Sequence, residues 1–222
     1  MNIAQFERSE RIFSSTGRNG LTSDNAKFFA YPFQHEGLRF SAHLADQGEV
    51  FKQAWAIYIE AFTGLERRSR REQTLVMRHP GYRFSAILHE GSVVGVMAWW
   101  KLPGFCFVEH LAISSAQRSG GFGRRAIELL QSHVACPIVV DVEPFGTEKK
   151  AARRVAFYKR LGFAYGGKSV TLPAYEGKPA APSNLMAWGM ELDRAGRERV
   201  LETIGHEIYN QRGAVVPYPS AV

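Results

Sequence analysis

Three strand-forming runs follow one another with almost nothing between them: Tyr82 to His89, Ser92 to Leu102 and Phe105 to Ile113. Glu90-Gly91 and Pro103-Gly104 fill the gaps, and two-residue links of this kind close hairpins. Parallel neighbours would instead need a crossover of a dozen or more residues. The middle of the chain is therefore committed to an antiparallel meander, and any fold must be built around it.

Strand and helix patterns alternate on either side. Leu38 to Leu44 reads as a short strand. Asp46 with Glu49 three residues on predicts a capped helix running to about Phe62. An Arg-rich helix over about Glu66 to Arg78 is stopped by Pro80 and Gly81. Beyond the meander, Phe122, Ala126, Leu129 and Leu130 recur at helical spacing, which predicts a helix from about Gly121 to Val134. Pro137 ends it, and Ile138 to Val142 reads as a short apolar strand. A basic helix from about Glu148 to Leu161 ends at Gly162, the usual left-handed residue after a helix. Strands are expected at Phe163 to Leu172 and Asn184 to Leu192 around a Pro/Gly-rich loop, Pro173 to Pro182, with a last helix over about Arg194 to Tyr209. Residues 1–37 balance acidic against basic residues, show no periodicity and are read as an extension with little structure of its own, docked in part through Phe28, Phe29, Tyr31 and Phe33.

The net charge of +7, from 28 basic and 21 acidic residues, favours a polyanionic ligand. That class includes nucleic acid, an anionic membrane and a phosphorylated cofactor. No apolar stretch approaches the ~20 residues of a membrane span; the longest, Val93 to Trp100, stops at Lys101. The N-terminus lacks the apolar core of a secretion signal, so a cytoplasmic chain is expected. Cys106 and Cys136 are too few for a disulfide framework, and neither sits at zinc-ligand spacing, so no metal is expected. No segment interleaves aromatic and basic residues as an RNA-binding sheet does.

The most informative stretch joins the third strand of the meander to the following helix: Ile113, then Arg118-Ser119-Gly120-Gly121-Phe122-Gly123-Arg124-Arg125. Glycines let backbone amides approach a ligand where a Cβ would clash. The unpaired amides of a first helical turn, aided by the helix dipole, make an anion site suited to pyrophosphate. Gly121-x-Gly123-x-x-Ala126 also fits a dinucleotide fingerprint, and Glu143 falls ~20 residues on. Context speaks against that reading, because seven residues separate Ile113 from Gly121 and the preceding strands are a meander. A phosphate loop of the Gly-Lys-Ser/Thr type is absent.

Read instead as R-x-x-G-x-G, with Arg118, Gly121 and Gly123, the segment from Val108 to Gly123 resembles the GNAT N-acetyltransferase superfamily. A second signature, Phe157-Tyr158-Lys159-Arg160-Leu161-Gly162-Phe163, is similar to that family's F-Y-x-x-x-G-F segment. The resemblance covers about residues 38–192. Phe62 with Glu66-Arg67-Arg68 also resembles a group of uncharacterised bacterial members. Ser119-Gly120 departs from the pattern, where glycine more often comes first.

The resemblance implies an α/β (α+β) fold with a mixed, mainly antiparallel sheet flanked by helices on both faces. A GNAT-like domain would then occupy residues 38–222, after the extension. It implies transfer of an acetyl group from acetyl-CoA to an amine, with no metal and no membrane partner, and leaves open a homodimer. Arg118, Ser119, Gly120, Gly121, Phe122, Gly123 and Arg124 would cradle the pyrophosphate, and Leu111, Ala112 and Ile113 would offer a strand edge to the pantetheine arm. Tyr158 would protonate the departing thiolate, and Glu109 would accept the amine proton directly or through water. His110, its neighbour, would point to the opposite face of the strand. Arg67, Arg68, Arg70 and Arg71 are expected at the surface, and an acidic acceptor would follow if they lined the cleft. A CoA-binding sensor without catalysis is the alternative on the same fold.

Overall fold

The computed structural model describes residues 34–41, 48–144, 149–173, 175 and 178–209. The aromatic cluster at Phe28 to Phe33 and the capping residue Asp46 lie outside them. A hairpin of β1 (Gln34–His35) and β2 (Leu38–Phe40) opens the described chain, so pairing already starts within the segment read as an extension. The helices α1 (Glu49–Ala61) and α2 (Arg70–Val76) precede the meander β3 (Tyr82–His89), β4 (Ser92–Leu102) and β5 (Phe105–Ile113). A 3-10 turn (Ser115–Gln117) leads to α3 (Phe122–His133), β6 (Ile138–Val142) and α4 (Lys149–Arg160). Then come β7 (Ala164–Tyr165), β8 (Val170–Leu172), β9 (Ala181–Trp188) and α5 (Arg194–Ile204), which continues as a π turn over Gly205–Tyr209.

The sheet runs β1-β2-β3-β4-β5-β6-β9-β7, with β8 also on β9. All its pairings are antiparallel except β5 with β6, the pair that α3 connects. Alternation along the strands divides the interior into two layers. On one face Phe51, Tyr58, Phe84, Trp100, Phe107, Val139, Leu185 and Ile204 pack together, bringing α1 and α5 onto the sheet. On the other face Trp99, Val108, Ile127, Leu130, Val140, Val155 and Tyr158 join α3 and α4 to it. The adjacent Trp99 and Trp100 are both buried because the sheet is covered on both sides.

Local signals place most ends. Gly48 rather than Asp46 occupies the cap of α1, with no side-chain bond to the helix. The second helix is shorter than its Arg-rich pattern. Ser69 accepts from the backbone of Glu72 while Glu72 accepts from that of Ser69, a reciprocal cap that fixes the start at Arg70. Leu161 closes α4 and Gly162 leaves it with φ +81, as a left-handed exit requires. The strand read as Phe163 to Leu172 is broken into β7 and β8, and the strand read from Asn184 begins three residues earlier.

Candidate active site

The parallel pair is short. Cys106, Phe107 and Val108 pair with Ile138, Val139 and Val140, and there the pairing stops. Both strands continue, but apart: β5 stays bonded to β4 through Ile113, and β6 stays bonded to β9 through Val142. From Glu109 to Ile113 the β6-facing edge of β5 is therefore without a strand partner, and this stretch contains Leu111, Ala112 and Ile113.

The freed edge runs directly into the glycine turn. Ser119 and Gly121 both take positive φ, +72 and +74, so the chain folds back tightly before α3. A Cβ built on Gly121 would meet nothing within 4 Å: it would project into an open cleft. The first bond of the α3 ladder is from Arg125 N to Gly121 O at 3.1 Å, so the amides of Phe122, Gly123 and Arg124 precede it. Ile113, Arg118, Ser119, Gly121, Phe122, Gly123 and Arg124 line this cleft. Gly120 sits at the turn beside the Phe122 ring, and Leu111 and Ala112 lie further down the edge. Phe157 and Gln117 also line it, and neither is among the residues expected in the cradle. Phe157 was the legible one, as the residue before Tyr158 in the second motif.

Glu109 and His110 lie on the same face, contrary to the alternation expected of neighbours in a strand. Ala98 pairs with His110 and Trp99 with Val108, so Glu109 is the extra residue of a β-bulge. His110 consequently packs edge-on against Tyr58 and Phe62, on the α1 side, with its Nδ1 3.9 Å from Glu109 Oε2. Its Nε2 lies 2.9 Å from the carbonyl oxygen of Glu66. Burial holds this imidazole below its ordinary pKa despite the nearby carboxylate.

The carboxylate of Glu109 accepts from four donors. Arg68 grips it with both terminal nitrogens at 2.5 and 2.8 Å, Trp100 Nε1 donates at 3.2 Å and the Tyr175 hydroxyl at 2.9 Å. Arg68 is thus not a surface residue: it is 3% exposed, and the Tyr175 ring lies 4.5 Å from its guanidinium carbon. Its charge is matched by Glu109, so it gives no reason to expect an acidic acceptor. Burial alone would raise the Glu109 pKa, but the guanidinium outweighs it and holds the carboxyl below its usual range.

A second carboxylate faces Glu109 across the strand divergence. Asp141 follows Val140, the last residue of β6 paired with β5, and interrupts an otherwise apolar strand. Ser183 donates to it at 3.3 Å. Burial, reinforced by the negative charge of Glu109, pushes its pKa up to about 7. It is not among the expected site residues; the signal for it in the sequence is an acid inside the apolar run Ile138–Val142.

Tyr158 lies in the opposite layer, 6% exposed, with its ring against Phe157 and Phe163. Burial raises its pKa well above the ordinary phenol value, so it keeps its proton throughout the neutral range. Asp141 on one side of the sheet and Tyr158 on the other thus flank the start of the gap.

The match to the GNAT acetyltransferase family model spans residues 48–163, which carry this whole arrangement except Tyr175 and Ser183. A Bacteroides thetaiotaomicron protein assigned to the same family shares 30% identity with the chain; 72% of this chain and 91% of that one superpose with a TM-score of 0.67. At 12–13% identity the fold alone is shared with two others. One is a Salmonella typhimurium acetyltransferase that modifies the N-terminal serine of a ribosomal protein, with a TM-score of 0.54 over 71% of this chain and 97% of that one. The other is a Thermus thermophilus acetyltransferase, at 0.51 over 68% and 96%. Comparison with the curated proteins gave no match. The chain belongs to the GNAT family and is an acetyltransferase.

Proposed function

We propose that this acetyltransferase takes its acetyl group from acetyl-CoA and passes it directly to an amine. The observation that carries the reading is the early end of the β5–β6 pairing, with an amide-lined glycine turn at the end of the freed edge. An extended, amide-bearing arm ending in a pyrophosphate fits that surface. The edge of Leu111 to Ile113 would pair with the arm, and the amides around Gly121 to Arg124 would hold the diphosphate.

The chemistry follows from the two groups that flank the gap. The amine nitrogen attacks the thioester carbon, a C–N bond forms, and the C–S bond breaks. An alkyl ammonium has a pKa of about 10.4 and needs a proton acceptor before it can attack. Asp141, with its pKa of about 7, suits this role better than Glu109, whose oxygens are all engaged. Glu109 acts instead as a fixed charge that keeps Asp141 basic. The Tyr158 hydroxyl gives its proton to the departing thiolate and recovers one from solvent.

Release of CoA thiol from acetyl-CoA, followed across a panel of primary amines, tests the proposal. Amine-dependent release with one acetylated product is expected. Tight acetyl-CoA binding with no turnover on any amine would favour a CoA sensor. Absence of both would overturn the reading of the glycine turn.

A further inference from the structure

Cys106 and Cys136, thirty residues apart, meet at the closed end of the strand divergence with 3.4 Å between their sulfurs. Cys106 is the second residue of β5, fully buried, and its amide donates to Pro137 O at 2.8 Å. Cys136 lies in the link from α3 to β6 and is partly exposed. Lys101, the β4 partner of Cys106, brings its ammonium to 3.8 Å from the Cys136 sulfur. A disulfide needs its sulfurs about 2.05 Å apart, so the pair would close by a shift of little more than an ångström.

We propose that Cys136 and Cys106 form a peroxide-sensitive dithiol, with Cys136 as the thiol attacked from solvent and Cys106 as its resolving partner. The arrangement assigns each part. An oxidant can reach only the outer sulfur. The ammonium of Lys101 stabilises a thiolate there, and the thiol of Cys106 can donate to it. Together they lower the pKa of Cys136, whereas burial raises that of Cys106 and keeps its proton in place.

The Cys136 thiolate attacks one oxygen of hydrogen peroxide, the O–O bond breaks, and a sulfenic acid and hydroxide result. The Cys106 sulfur then attacks the sulfenic sulfur. Its proton leaves with the expelled hydroxide as water. Overall two thiols lose two electrons and two protons, and one peroxide becomes two waters. The cross-link would join β5 to the entrance of β6 beside the Cys106–Ile138 pair.

The test is peroxide titration of the full chain, read by intact mass and by non-reducing peptide mapping. Loss of two hydrogens, reversed by dithiothreitol, with one peptide linking Cys106 to Cys136, is expected. In Cys106→Ser the product should instead be a sulfenic acid on Cys136 that dimedone traps. Alkylation of the reduced protein at pH 7 should label Cys136 well before Cys106. In Lys101→Met the Cys136 rate should fall, because the thiolate loses the ammonium that stabilises it. The proposal is overturned if peroxide drives Cys136 straight to sulfinic acid with Cys106 unmodified, or if the two thiols alkylate at the same rate.

Discussion

Arg68 and Glu109, 41 residues apart in sequence, form a two-pronged ion pair in which both side chains are at most 5% exposed. It ties the segment between α1 and α2 to the bulge of β5. A buried pair is costly to break because the remaining charge is stranded; loss of one partner typically costs about 3–5 kcal/mol. Arg68→Met should therefore lower the unfolding free energy by an amount in that range, as should Glu109→Leu. The double variant should recover much of the loss, and a double-mutant cycle by urea unfolding gives the coupling.

Asp141→Asn should make the protein more stable and less active. In the folded chain Asp141 titrates near 7, against 3.8 for the exposed group. Between those values the folded state holds a proton that the unfolded state has lost, so stability falls as pH rises across the window. The amide carries no such penalty, and the gain should grow to as much as about 4 kcal/mol by pH 8. Thermal melts from pH 4 to 8 check this. Under the proposed mechanism kcat should drop by ~100-fold or more, and the wild-type rise in kcat/KM near pH 7 should disappear. A variant that keeps wild-type turnover would remove Asp141 as proton acceptor.

Tyr158→Phe removes one oxygen and leaves the ring against Phe157 and Phe163. The melting temperature and acetyl-CoA affinity should stay close to wild type. A general acid is commonly worth ~100-fold, and the loss in kcat should approach that with amines for which thiolate departure limits the rate. Unchanged kcat would leave Tyr158 as packing alone.

The glycine turn offers a paired test. Ser119 holds φ +72, a conformation that costs a residue with a Cβ roughly 1–2 kcal/mol. Ser119→Gly should relieve about 1 kcal/mol of that in chemical denaturation, less the greater entropy of glycine when unfolded. Gly121→Val does the reverse: it forces a β-branched residue to φ +74 and puts its side chain into the cleft. Isothermal titration with acetyl-CoA should show binding kept in the first variant and lost in the second.

How far the sequence carried can be judged at particular residues. The ends of β3, β4, β5 and β6 were readable because turns and alternation are local signals. The cleft residues around Gly121 were readable for the same reason, since a run of glycines at a strand-to-helix junction does its work through its own backbone. Glu109 and His110 were misjudged as facing apart, because one unpaired residue inverts the facing of everything on one side of it and leaves no mark in composition. Arg68 looked like one more charge in a basic run; what buries it, Glu109 and Tyr175, arrives only through tertiary structure. The pKa of Asp141 likewise depends on Glu109 and burial, neither of which its neighbours in the chain disclose.

The short β5–β6 pairing also gives the sheet a mechanical seam. Three residue pairs span it, whereas the flanking β4–β5 and β6–β9 ladders hold eight and five. Under a load pulling β4 away from β9, the tear should begin along this line, with Val108 and Val140 parting first. Anything laid along the open edge of β5 and bonded to both arms would splint it. Rupture force in a single-molecule pull from those two strands should therefore rise when the cleft is filled, with no rearrangement of the strands at rest.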